Sequence, residues 1–133
     1  MTKYLLDTHI LLWFFFDSQK LSTPISKILQ NPESALFISA ISFWEISIKY
    51  ESRKLQLGDF HPSDLNKMAA DSRITPVDLS AETASTFYKL KASYHKDPFD
   101  RLLIWQAIKE DYLFITEDEN IKLYKSEGLR LIE

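Results

Sequence analysis

The chain has 133 residues, of which 45 % are hydrophobic and 14 % aromatic, with only 2 Gly and 5 Pro. That length and apolar content suit a single domain, residues 1–133, with a full core, and they exclude a disordered, collagen-like or linker-rich chain. The 16 Lys and Arg against 19 Asp and Glu leave a net charge of −3, so blanket neutralisation of phosphates is excluded as the main way of holding nucleic acid. With 0 Cys there is no disulfide framework, no thiolate zinc site and no cysteine nucleophile.

Taken in chain order, Tyr4-Leu5-Leu6 is a short apolar run suited to a buried strand, and His9 to Phe16 reads as helical. Asp7 and His9 interrupt any signal-peptide core, and the apolar stretch Ile10 to Phe16 falls far short of the roughly 20 residues that span a bilayer. The expectation is a soluble, cytoplasmic protein with no membrane association. Ser22-Thr23-Pro24 starts a second helix and Asn31-Pro32 stops it. Leu36-Phe37-Ile38 is the second strand, followed by a helix over 39–53 and another over about 62–70. Ile74 to Val77 is a strand weakened by Pro76. A helix is expected over 81–92 and a clearer one over 98–109; then come a buried strand at Leu113-Phe114-Ile115, a short helix over 119–124 and a last strand over 129–132.

Alternating strands and helices predict an α/β fold, a mostly parallel sheet covered by helices on both faces. Such sheets bind ligands beyond the carboxyl ends of their strands, at a topological switch point. Asp7 directly follows the first apolar run and Asp118 follows Leu113-Phe114-Ile115-Thr116, so both belong at that edge. Taken singly each is accounted for as a helix cap, Asp7 for the first helix and Thr116 with Glu119 as a T-x-x-E capping box. Their recurrence at two strand ends points instead to a shared cation.

Glu45, beside Trp44 and three residues before Ile48, lies on or next to an apolar helix face. A carboxylate there needs a buried base, a metal or an escape to solvent, and Lys49 at i,i+4 offers a simple ion pair. Asp97-Pro98-Phe99-Asp100 is a sound helix start, with Asp97 as cap. Asp100 precedes Leu103 and Ile104 and so also faces inward. His9 and His95 sit near candidate acids, placed to orient a carboxylate or meet a phosphate, whereas His61 reads as a turn histidine. The sequence contains no G-x-S-x-G, no glycine-rich phosphate loop and no H-E-x-x-H.

In this order the segments Tyr4-Leu5-Leu6-Asp7-Thr8-His9-Ile10-Leu11-Leu12-Trp13, Ile41-Ser42-Phe43-Trp44-Glu45-Ile46, His95-Lys96-Asp97-Pro98-Phe99-Asp100-Arg101-Leu102-Leu103-Ile104 and Leu113-Phe114-Ile115-Thr116-Glu117-Asp118 resemble the four acidic segments of PIN-domain nucleases. The D-T-H-x-L-L-W opening with H-x-D-P-F-D-R resembles the bacterial toxin branch of the VapC type. The resemblance implies a three-layer α/β/α sandwich and a divalent-metal-dependent endoribonuclease that hydrolyses RNA phosphodiesters. It also implies the toxin of a type II toxin–antitoxin pair, a homodimer held inactive by a cognate antitoxin protein. Asp7, Glu45 and Asp100 match the family's principal acidic positions, Asp118 the fourth, more variable one. Asp97 is the branch's extra acid and Thr116 accompanies the fourth segment, while Glu117 departs from the basic or small residue often found there.

On that reading the cation is Mg²⁺ or Mn²⁺, since hard oxygen ligands select such ions. Asp7 and Asp100 are expected as direct ligands, Glu45 as ligand or water-orienting base, and Asp118 as a direct or water-mediated ligand. Lys49, Arg53 and Arg101 are candidate contacts to the RNA backbone. The aromatic run Trp13-Phe14-Phe15-Phe16 exceeds what one helix face buries, and the remainder is expected at a dimer or antitoxin interface. Two other readings stay open: a nuclease of the same fold acting in RNA maturation or on DNA, and a non-catalytic partner-binding domain.

Overall fold

The computed structural model describes residues 1–95 and 97–132; Lys96 of the third motif and Glu133 lie outside them. Five strands, β1 (Lys3–Leu6), β2 (Ala35–Ser39), β3 (Ile74–Val77), β4 (Leu113–Ile115) and β5 (Arg130–Leu131), form one parallel sheet in the order β3-β2-β1-β4-β5. Around it, among the described residues, lie α1 (Thr8–Phe16), α2 (Thr23–Gln30), α3 (Ala40–Glu51), α4 (Pro62–Asp71), α5 (Ala81–Ser85), α6 (Pro98–Lys109) and α7 (Glu119–Lys122). None of these helices is long and apolar enough to cross a membrane.

Side chains alternate across a strand, and this sheet uses both faces. Leu5 and Phe114 pack on one side with Leu103, Ile104 and Tyr124; Leu6 and Ile115 pack on the other with Ile10, Leu11, Ile46 and Leu65. Burial on both faces explains why these strands are short uninterrupted apolar runs rather than alternating ones. Pro76 is tolerated because β3 is an edge strand, paired only with β2.

The chain runs β1-β2-β3 to one side and then returns to place β4 and β5 on the other side of β1. The strand order therefore reverses between β1 and β4, and it is beyond the carboxyl ends at such a switch point that sheets of this kind bind ligands. The register pairs Leu6 with Ile115, and the Asp7 N–H donates to the Ile115 carbonyl at 2.9 Å, so Asp7 and Thr116 leave the sheet side by side.

Two helices differ from expectation. The stretch 81–92 is not one helix: α5 ends at Ser85, a 3-10 turn covers Phe87–Lys89, and the chain then extends. Tertiary partners take over the backbone groups a longer helix would have used. The Trp105 indole donates to the Thr83 carbonyl at 3.0 Å, the Arg101 guanidinium to the carbonyls of Leu90 and Ala92, and the Glu127 carboxylate accepts from the amides of Lys91 and Ala92. Likewise α7 ends at Lys122 and tightens into a 3-10 segment, Leu123–Glu127, closed by Gly128 at φ +100°.

Candidate metal centre

Asp7 occupies the N-cap position of α1, but its carboxylate makes no capping bond. It turns inward instead. Oδ2 accepts from the Thr116 hydroxyl at 2.8 Å, and Oδ1 is buried without a hydrogen-bond partner. Thr116 also accepts from the Asp118 N–H at 3.0 Å, and it is Asp118, not Thr116, that caps α7, through the Asn120 N–H. The Thr116–Glu119 capping box is therefore absent: the hydroxyl proton is committed to Asp7, which leaves the cap to Asp118.

Glu45 projects from the second turn of α3 into the same region and is only 1 % exposed, against 3 % for Asp7 and 7 % for Asp100. Its Oε2 accepts from the Lys49 ammonium one turn on, while Oε1 is buried and unpartnered. The ion pair weighed from the sequence thus exists, yet it satisfies half of the carboxylate. Next to Glu45 on the helix, Ser42 accepts a buried hydrogen bond from Thr8 at 2.8 Å and ties α3 to the start of α1.

Asp100 enters from the first turn of α6, with Leu103 and Ile104 fully buried behind it. Asp97 caps that helix by accepting from the amides of Phe99 and Asp100. From the loop before it, His95 directs Nε2 at two carboxylates, 3.2 Å from Asp100 Oδ2 and 3.0 Å from Asp118 Oδ2. Among the described residues His95, Asp100 and Asp118 offer ligand atoms all within 4.8 Å of one another.

The electrostatics show how crowded the acids are. Burial, then the charges of Glu45 and Asp118, push the Asp7 carboxyl up to about 6 despite its bond from Thr116. Burial, then the charges of Asp7, Asp97 and Glu45, push Asp100 up to about 7. Lys49 is raised as well, in favour of its charge: burial alone would lower it, but its bond to Glu45 and the charges of Glu45, Asp97 and Asp100 raise it. Asp7, Glu45, Asp100 and Asp118, from four elements, therefore lie within electrostatic reach near the sheet's switch point. The three described residues whose ligand atoms come within 4.8 Å of one another are His95, Asp100 and Asp118, not Asp7 or Glu45. Buried anionic oxygens without donors are costly, and a cation with hard-oxygen preference is the group that this donor set fits.

A PIN domain family model matches residues 4–126. The chain belongs to the PIN domain family. It is 29 % identical over 125 residues, 94 % of each chain, to Ribonuclease VapC22 of Mycobacterium tuberculosis. Among solved structures it resembles a chain of VapBC2 from Rickettsia felis bound to a promoter DNA fragment (TM-score 0.70, 21 % identity, 98 % of both chains). It also resembles one of VapBC-1 from nontypeable Haemophilus influenzae (TM-score 0.71, 14 % identity, 99 % of this chain and 98 % of that one). At those identities the structural likeness is one of fold, and it agrees with the expected α/β sandwich.

The remaining candidates separate. In this PIN domain Arg101 holds local structure: the guanidinium lies over the Phe87 ring at 5.0 Å and donates to the carbonyls of Leu90 and Ala92. Arg53 stands exposed beyond the end of α3 at φ +64°, two turns past Glu45. His9 is exposed and holds no carboxylate; it lies 6.0 Å from the Trp13 ring and lines a cleft of about 570 Å³ together with Trp13, Lys20, Glu45, Lys49 and Lys54. Lys20, at the end of a 3-10 turn, and Lys54, just past α3, were not legible as cleft residues in the sequence because the segments that carry them reach the cleft only through tertiary folding. Tyr124, whose buried hydroxyl accepts from the His95 N–H at 3.1 Å, was not legible either: its sequence looks like an ordinary core aromatic.

Proposed function

We propose that this PIN domain, acting as one unit across 1–133, is a divalent-metal-dependent endoribonuclease and the toxin of a toxin–antitoxin pair. The observation that carries the reading is the pair of buried, unpartnered oxygens, Asp7 Oδ1 and Glu45 Oε1, set beside Asp100 and Asp118 at the switch point. The VapC ribonuclease relative supports the substrate class, and the toxin–antitoxin complexes among the structural neighbours support the partner.

Asp7 and Asp100 hold the cation directly, Glu45 holds it or orients the attacking water, and Asp118 completes the set. Bound there, Mg²⁺ or Mn²⁺ supplies charge to offset the acids, polarises the scissile phosphate and acidifies the attacking water. Thr116 fixes the rotamer of Asp7, Lys49 keeps one oxygen of Glu45 occupied so that the other faces the site, and Asp97 sets the first turn that carries Asp100. An acidic protein thereby attracts phosphate without a basic surface, and the lysines of the adjoining cleft meet the strand as it enters. The exposed apolar residues Phe16, Trp44, Ile48 and Phe60 supply surface for a second copy and for the antitoxin, whose action is cytoplasmic.

The test is to incubate the purified chain with total RNA in Mg²⁺ or Mn²⁺ and in EDTA, alongside flap DNA, and to map the cut ends. RNA cleavage lost in EDTA and in Asp7→Asn is the expected result. Cleavage that survives chelation removes the metal, and a stable RNA complex without cleavage removes the enzyme. Expression in a bacterial host should arrest growth unless a cognate antitoxin is co-expressed.

A further inference from the structure

His95 has a hydrogen-bonding arrangement that a turn histidine does not need. Its Nδ1 accepts from the Asp97 N–H at 3.2 Å, so the ring's proton sits on Nε2. That N–H points between two carboxylates, 3.0 Å from Asp118 Oδ2 and 3.2 Å from Asp100 Oδ2. The backbone of the same residue is pinned from behind, its N–H donating to the hydroxyl of fully buried Tyr124. A nitrogen that carries a proton cannot ligate a metal, so in this arrangement the ring is a donor to the acids rather than a fifth ligand.

We propose that His95 is a positioning residue that stands in for the cation: its Nε2–H fills the gap between Asp100 and Asp118 in the metal-free protein and yields both carboxylates when a divalent ion enters. The inference rests on the metal-dependent reading above and adds a named residue that opposes ion entry. Two acids on separate elements, the first turn of α6 and the cap of α7, would otherwise swing apart or take up water. One N–H shared between two carboxylates holds them close, yet a single dipole is a weak substitute for a divalent charge. It keeps the ligands near their working separation and gives way when the ion arrives. Asp7 Oδ1 and Glu45 Oε1, on the opposite side, have no such donor.

The test measures Mn²⁺ binding by calorimetry, and melting with and without Mn²⁺, for the wild-type chain, His95→Ala and His95→Gln. His95→Ala should bind Mn²⁺ about ten-fold more tightly, the worth of one charge-assisted hydrogen bond that no longer has to break. Its metal-free form should melt lower while its Mn²⁺-loaded form loses less, so the metal-induced rise in Tm grows. His95→Gln, which keeps an N–H donor, should stay within about three-fold of wild type. His95→Leu fills the space of the ring without a donor and carries the expectation of the alanine variant if that variant does not fold. Weaker Mn²⁺ binding in His95→Ala and His95→Leu would make His95 a ligand and overturn the proposal. Equal Tm losses with and without Mn²⁺ would make it a purely structural residue, which overturns it as well. A wild-type chain that binds no Mn²⁺ at all refutes the metal reading itself, a result distinct from either of these.

Discussion

The two sides of the acidic site are built in opposite ways. On the Asp7–Glu45 side, rooted in β1 and α3, each carboxylate has one oxygen satisfied, by Thr116 and Lys49 respectively, and one buried with no donor. On the Asp100–Asp118 side, rooted in the starts of α6 and α7, a histidine N–H bridges the carboxylates and the Asn120 amide donates to Asp118. The first side leaves oxygens without donors; the second bridges its acids, although crowding pushes Asp100 up further than Asp7. A site for a cation needs both: the unsatisfied oxygens supply the drive to bind, and the bridged pair supplies a geometry that exists before binding.

Substituting the ligands should break this arrangement most severely. Asp7→Asn and Asp100→Asn should each lower metal-dependent RNA cleavage at least about 100-fold while circular dichroism shows the fold retained, because the lost charge stabilised only the metal-bound reaction. Full activity in both purified variants would remove them from the site. Lys49→Met strikes the Asp7–Glu45 side differently. It leaves Glu45 buried with no counter-charge, and the expected cost is about 1–3 kcal/mol in urea unfolding without metal, reduced when Mn²⁺ is added. An unchanged midpoint would mean that Glu45 is solvated after all.

Protonation sharpens the contrast. The folded-state values of Asp7 and Asp100, about 6 and about 7, lie above the ordinary 3.8, so the folded protein holds protons that the unfolded chain releases. As far as these groups are concerned, metal-free stability should therefore be greatest below about pH 4, should fall as the pH rises from there, and should level off once the pH has passed about 7. Asp7→Asn should flatten that fall and raise metal-free stability at pH 8 by on the order of 1–3 kcal/mol. Divalent ions should erase the difference by replacing the protons. A metal-free Tm that climbs from pH 5 to pH 8, with Asp7→Asn identical to wild type, would contradict the crowding of the acids. The smallest effect is expected away from both sides: Arg101→Gln should cost about 1 kcal/mol through the lost bonds to Leu90 and Ala92, with the cleavage rate per folded molecule unchanged.

The same contrast separates what the chain revealed as a sequence from what it did not. The uninterrupted apolar runs at Tyr4-Leu5-Leu6 and Leu113-Phe114-Ile115 announced buried parallel strands, and Asp7 just after the first and Asp118 three positions past the second announced the edge at which chemistry occurs. The inward phase of Glu45 and Asp100 followed from helical spacing alone. Hydrogen bonds between distant segments were not legible. The commitment of Thr116 to Asp7 across 109 positions overrode a local capping box, and the demands of Trp105, Arg101 and Glu127 broke the helix expected over 81–92. Arg101 looked like a free cation because its two carbonyl partners lie in a segment that reads as helical and should have had none to spare. In each case a tertiary partner took a backbone or hydroxyl group that local rules had assigned elsewhere.

The central claim is that side chains from four elements share one divalent ion. Anomalous diffraction from crystals equilibrated with Mn²⁺ tests it directly. The account predicts a single region of anomalous density with Asp7 and Asp100 oxygens about 2.1–2.3 Å from an ion, and with Glu45 and Asp118 in the same coordination sphere or one water away. Density at saturating Mn²⁺ that lies elsewhere, or none at all with the four carboxylates ordered, would contradict it.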